Sequence, residues 1–91
     1  PYNSSLSTLA LLHTWQRMPE QVEKASLDAA VAALIRSQSS EGGWGSRHHP
    51  QGDLSITRWH IQALDMAARL GWDSAAAAAA RGKACLTDRP A

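Results

Sequence analysis

Residues 38 to 52 read QSSEGGWGSRHHPQG, four glycines and a proline gathered in one polar stretch. No regular element continues through such a run, because glycine loses the most backbone entropy on ordering and proline lacks an amide donor. The chain is therefore cut into two halves, and whatever forms in each half must meet across this loop. On both sides the apolar residues recur at helical spacing, so each half is expected to be a pair of helices.

The first helix is expected over about 5–17, with Asn3, Ser4 or Ser5 able to cap it. Leu6, Leu9, Ala10, Leu11, Leu12 and Trp15 point around most of its circumference, which implies burial on more than one side. Pro19 ends it, since the residue before a proline resists helical geometry. A second helix is expected from Pro19 or Glu20 to Ser37. Its Leu27, Val31, Leu34 and Ile35 fall at i, i+4, i+7 and i+8, a single apolar stripe opposite Glu23 and Lys24. The third helix is expected over about 54–70, capped by Asp53 or Ser55. Ile56, Trp59, Ala63, Ala67 and Leu70 share one face, widened by Ile61, Leu64 and Ala68, while Arg58, Gln62, Asp65 and Arg69 form a narrow polar stripe. Asp65 and Arg69 stand four apart and can pair. Gly71 suits the left-handed residue that closes a helix, and Asp73 or Ser74 can cap a fourth through Ala75–Ala80 to about Leu86. Gly82 weakens that helix by roughly 1 kcal/mol relative to Ala. The expected fold class is all-α, one domain of two helical hairpins: 1–38, a glycine-rich loop over 39–53, and 54–91.

Composition limits what such a domain does. Nine Lys and Arg against eight Asp and Glu leave a formal charge of +1, and the basic residues are scattered singly. Nucleic acid is not an expected partner, because phosphate binding needs clustered positive charge. No apolar run approaches the roughly 18–20 residues that span a bilayer, and the opening Pro1-Tyr2-Asn3-Ser4-Ser5 has neither the basic start nor the apolar stretch of a secretory signal. A soluble domain is expected. Cys85 is the one cysteine, so it forms no disulfide within the chain and builds no zinc site by itself. Phe is absent, Ala is abundant and Trp occurs four times. Ala favours helices but buries little area, so the core relies on close helix approach with a few large anchors.

Three pieces of sequence, in order, carry a family resemblance. Leu34-x-x-x-Gln38-x-x-x-Gly42-Gly43-Trp44-Gly45 resembles the second half of the Gln–Trp motif of squalene and oxidosqualene cyclases. Asp53-Leu54-Ser55-Ile56-Thr57-Arg58-Trp59, with Ala63-Leu64, resembles an inner-helix start in bacterial proteins with prenyltransferase and squalene oxidase repeats. Tyr2-Asn3-x-x-Leu6-x-Thr8-Leu9-Ala10-Leu11 is similar to the inner-helix start that precedes it in those proteins. Together they cover most of residues 2 to 70 and point to the terpenoid cyclase and protein prenyltransferase superfamily. The resemblance implies an α/α toroid, in which inner and outer helices alternate around a cavity. It makes Gln38, Gly42, Gly43, Trp44 and Gly45 a structural motif, and Asp53, Ser55, Thr57, Trp59 and Trp15 residues that face a lumen or ligand. Independently of it, Gly42, Gly43 and Gly45 permit backbone angles and approaches that side chains block. Trp44 can cover a helix end, and Gln38 can satisfy exposed backbone groups and stack on the indole.

The superfamily's chemistry does not carry over. Squalene–hopene cyclases protonate their substrate with Asp-x-Asp-Asp-Thr at a comparable helix start. Here Ser55 stands at the protonating Asp and Ile56 at the third Asp, and a serine supplies no strong acid. The zinc set of protein prenyltransferases places Ile56 at its His position, and Cys85 is distant in sequence. No catalytic residue, metal or cofactor is therefore expected. His48-His49 and His60 form no recognised metal spacing, Cys85 near Lys83 reads as a buried structural thiol, and Gly42-Gly43-x-Gly45 lacks the strand and Lys-Ser/Thr of a phosphate loop.

Two hairpins make only part of a ring, so the chain is expected to be a piece of a longer toroid protein, a subunit that assembles with copies of itself, or a compact four-helix bundle. The leading expectation is a non-catalytic helical-repeat module that binds protein or an apolar, isoprenoid-like ligand. The alternative is a fragment or subunit of a cyclase-like or prenyltransferase-like enzyme whose catalytic residues lie outside this chain. A weaker third is an apolar carrier lined by Trp15 and Trp59.

Overall fold

A computed structural model describes residues 2–40, 42–45 and 54–88. It contains α1 (Tyr2–Arg17), a 3-10 turn at Pro19–Gln21, α2 (Lys24–Arg36), α3 (Leu54–Arg69) and α4 (Asp73–Asp88). The fold is all-α, with no strand among the described residues. No helix is long and apolar enough to cross a membrane among the described residues.

Each helix is turned by what it must bury. The stripe of α2 goes inward as its spacing requires, with Leu27, Val31 and Leu34 buried and Ile35 packed beside them. The wide apolar face of α3 makes it the central helix, in contact with all three others. Its small Ala63 and Ala67 are buried, as are Ala75, Ala78 and Ala79 of α4, and small residues on both sides let the two helices approach closely. α1 packs against α2 and α3 but does not meet α4 among the described residues.

Directions follow from where the helix ends meet. His13 and Gln16 of α1 share a surface hollow with Met66 and Arg69 of α3, and Trp15 abuts Trp72, just beyond the end of α3. α1 and α3 therefore run the same way. Gln38, past the end of α2, reaches Ala78 in α4, while Trp72, just ahead of α4, reaches Asp28 in the first half of α2. α2 and α4 therefore also run together. The molecule is two hairpins laid side by side, one layer of α1 and α3 and one of α2 and α4.

Four local expectations are corrected. α1 is not buried all round: Ser5, Thr8, Leu9 and Leu12 face inward, whereas Ala10 is exposed and Leu11 is 37% exposed. Two hairpins offer α1 only one side to pack against. α2 does not begin at Pro19. Proline opens a 3-10 turn closed by the Gln21 amide on the Met18 carbonyl at 2.9 Å, and Val22 then becomes extended and packs on the core before α2 starts. Capping differs too. α1 begins at Tyr2, so Ser5 lies inside the helix, and Ser55 lies within the first turn of α3; Asp53 is outside the described residues. Finally, Asp65 pairs with Lys83 of α4 at 3.0 Å, not with Arg69, because the close α3–α4 packing brings the lysine within reach.

The end of α3 forms as its glycine dictates. Gly71 has φ +114°, the Trp72 amide donates to the Ala67 carbonyl at 3.0 Å, and the Gly71 amide donates to Ala68 at 3.2 Å. This pair of bonds is the Schellman closure, and it places Asp73 at the first position of α4.

Candidate functional site

The loop after α2 gathers Gln38, Gly42 and Trp44 against the start of α3 and the middle of α4. Ser37 closes α2, its amide donating to the Ala33 carbonyl at 3.1 Å. The Ser39 amide then donates to Gly43 at 2.7 Å, and the Gly42 amide donates back to Ser39 at 3.0 Å, so the turn is held by its own backbone. Gly42 takes φ +98°, and a Cβ there would come within 2.5 Å of the Arg81 carbonyl oxygen. Only glycine lets the loop lie this close to α4. Of Gly42, Gly43 and Gly45, Gly42 alone has positive φ, so the need for glycine on conformational grounds falls on that one position.

This close approach seats two side chains. Gln38 donates from Nε2 to the Gly42 carbonyl at 2.7 Å and to the Ala78 carbonyl of α4 at 2.9 Å. Its Oε1 is buried without a hydrogen-bond partner among the described residues. Turning the amide over would aim that oxygen at two carbonyls, so this orientation is the better one. Trp44 is 1% exposed, and its Nε1 donates to the Leu34 carbonyl at 2.7 Å, covering the end of α2. Ser37 Oγ donates to the same carbonyl at 2.9 Å.

Thr57 fixes Trp44 from the other side. Its Oγ1 accepts from the Trp44 amide at 3.0 Å and lies 3.2 Å from the Trp44 carbonyl, to which the hydroxyl donates. One hydroxyl therefore serves as donor and acceptor for one residue's backbone. Thr57 is 1% exposed. His60, one turn further along α3, lies against the indole with ring centroids 5.1 Å apart and planes tilted by 31°. Its Nδ1 is 2.9 Å from the Ile56 carbonyl, which fixes the proton on that nitrogen in the neutral ring. Burial pushes the imidazole below its ordinary pKa, against an opposing rise from the Ile56 hydrogen bond.

The remaining candidates do not gather at this point. Ser55 is exposed in the first turn of α3, and Trp59 is half-buried one turn beyond it. Trp15 is at the far end of the molecule, edge-on to Trp72 with centroids 5.3 Å apart and planes at 69°. From Trp59 to the end of α3 at Arg69 is ten residues, about 15 Å of helix. Asp53, His48 and His49 lie outside the described residues. Among the described residues no three His, Cys, Asp or Glu side chains come together to hold a metal ion.

The structure adds partners that the sequence reading does not contain. Gly82 is the floor under the Trp44 indole, and a glycine inside an alanine-rich helix is the signal that could have pointed to it. A second tie lies at the opposite end, where Trp72 Nε1 donates to Asp28 Oδ1 at 2.7 Å and Lys24 stands 5.6 Å above the same indole. Nothing in the local spacing signals that contact, since the tryptophan and the carboxylate are 44 residues apart.

Comparison with family models, with curated proteins and with solved structures finds no match to this chain.

Proposed function

We propose that the chain is a non-catalytic helical-repeat module of the α/α-toroid type, acting by binding protein or an apolar ligand. The observation that carries this reading is where the motif directs its donors. The Gln38 amide, the Trp44 indole and the Thr57 hydroxyl all bond to the chain's own backbone. They hold two hairpins together, and each of these donors is spent on the chain's own backbone. The exposed hydroxyl of Ser55, where cyclases of that type carry their acid, supports the same conclusion.

The pairing of helices supports the architectural half of the proposal. Hairpins that lie side by side, α1 against α3 and α2 against α4, can continue into a row, because each new hairpin covers the open flank of the last. In this reading α1 and α3 are the inner layer and α2 and α4 the outer. The partners are the rest of a longer toroid protein or further copies of the same chain.

Native mass spectrometry of the purified chain, with its denatured mass as control, tests the proposal. Bare chains, single or in a closed set, support a binding module. Copurified isoprenoid-sized mass that is not converted supports the apolar-ligand half of the reading, whereas an isoprenoid substrate converted on incubation overturns the non-catalytic reading in favour of an enzyme subunit.

A further inference from the structure

Where α1 and α3 end together, two surface hollows adjoin across His13. One of about 310 Å³ is lined by His13, Gln16, Met66, Arg69 and Leu70, within the size range of small-molecule sites, roughly 300–1,000 Å³. Its neighbour adds Arg17 and Met18. Met66 is buried and Leu70 half-buried, which makes an apolar floor. The lining of these two hollows carries an imidazole, an amide and two guanidinium groups, with no carboxylate among the described residues, while the outer side of Arg69 borders a separate hollow that Asp65 lines. Neither arginine forms an ion pair among the described residues. Of the two acids four residues from Arg69, Asp65 is engaged by Lys83 at 3.0 Å, and Asp73, exposed at the start of α4, forms no ion pair with it among the described residues.

We propose that this end of the α1–α3 seam binds an oxyanion on a short apolar stem, a medium-chain carboxylate. Arg69 and Arg17 would hold the carboxylate oxygens, with the stem on Met66 and Leu70. The guanidinium fork matches a planar carboxylate with two parallel hydrogen bonds. An exposed Arg–carboxylate pair contributes little by itself, so binding requires the floor as well as the charge. Two helix C-termini add partial negative charge here, which makes the arginines indispensable for an anion. An alkyl phosphate shares this chemistry. The inference rests on the chain being a binding module and names the class of its ligand.

The test is calorimetric titration of the full chain with sodium octanoate, octyl phosphate and 1-octanol. Saturable binding of octanoate is expected, with no binding of octanol. Arg69→Gln and Arg17→Gln should each weaken binding about fivefold or more, and the double variant should abolish it. Arg58→Gln, on the same polar stripe three turns away, should leave it unchanged, and circular dichroism should show all variants equally helical. Octyl phosphate binding more tightly than octanoate would assign the natural headgroup to phosphate. Absence of saturable binding by either anion, or equal binding by the double variant or by octanol, overturns the proposal. Octanoate failing while native spectra show bare chains removes this ligand only; conversion of an isoprenoid removes the module reading itself.

Discussion

The Trp44 indole lies so close over Gly82 that a Cβ on the glycine would stand 2.9 Å from Trp44 Cζ3, and 2.8 Å from Ile61 Cγ1. Helix propensity and packing therefore give opposite signs for one substitution. By propensity alone, Gly82→Ala in mid-helix stabilises by about 1 kcal/mol. The rigid indole has nowhere to go, since it is hydrogen-bonded at Nε1 and pinned at its backbone by Thr57. Gly82→Ala should thus destabilise by roughly 1–3 kcal/mol, as overpacked cores do. Urea denaturation decides it: a midpoint that rises would place the indole elsewhere.

Removing the indole is a separate test. Trp44→Ala empties a buried aromatic site and should cost roughly 3–5 kcal/mol. Trp44→Phe keeps a ring and loses one of the two donors to the Leu34 carbonyl, Ser37 Oγ remaining, so its cost should be roughly 1–2 kcal/mol. A melting temperature untouched by Trp44→Ala would end the assignment of this loop as a staple.

Gly42 and Gly71 separate backbone strain from steric contact. Both have positive φ, but a Cβ at Gly71 meets nothing within 4 Å, whereas one at Gly42 runs into the Arg81 carbonyl. Gly71→Ala should cost roughly 1–2 kcal/mol, the penalty for a side chain at positive φ. Gly42→Ala carries that penalty and must also push the loop off α4, so it should be the more damaging by at least about 1 kcal/mol. Equal losses in paired thermal melts would mean that the loop does not rest on α4.

His60 gives stability a pH dependence of defined sign. Burial lowers its pKa in the folded chain, while the unfolded chain titrates near the ordinary value of 6.5. Over the window between those values the unfolded state binds more protons, so stability rises with pH. The contribution is complete above the unfolded value and is lost as pH falls from there toward the lowered folded value. Melts between about pH 7.5 and 5 should show this acid-side loss, and His60→Gln should flatten the part of the slope that His60 supplies. A profile identical in both proteins would contradict the buried, neutral imidazole.

Much of the fold is legible from local pattern. The stripe on α2, the broad apolar face of α3 and the closure at Gly71 each depend on residues within a few positions of one another, and each takes the form that its spacing dictates. The glycine loop is legible in the same way, because Gly42 and Trp44 are unusual where they stand. What escapes is the identity of the partner. Gly82 reads as a weakness until the indole is laid on it, and Asp65 has Arg69 at ideal helical spacing yet takes Lys83 from the neighbouring helix. His60 reads as a residue beside an apolar face, and only the loop folding back makes it the ring under Trp44.

By itself, then, the sequence determined where helices form, which faces are apolar and where the chain must turn, because periodicity, proline and glycine act over a few residues. Only the tertiary structure decided that α1 lies beside α3 and away from α4, that Ala10 and Leu11 stay exposed, and that one indole joins α2, α3 and α4. An apolar face specifies burial without specifying against what, since the hydrophobic effect is non-directional. The choice falls to hydrogen bonds and close contacts between residues far apart in the chain, which form only when the whole core closes.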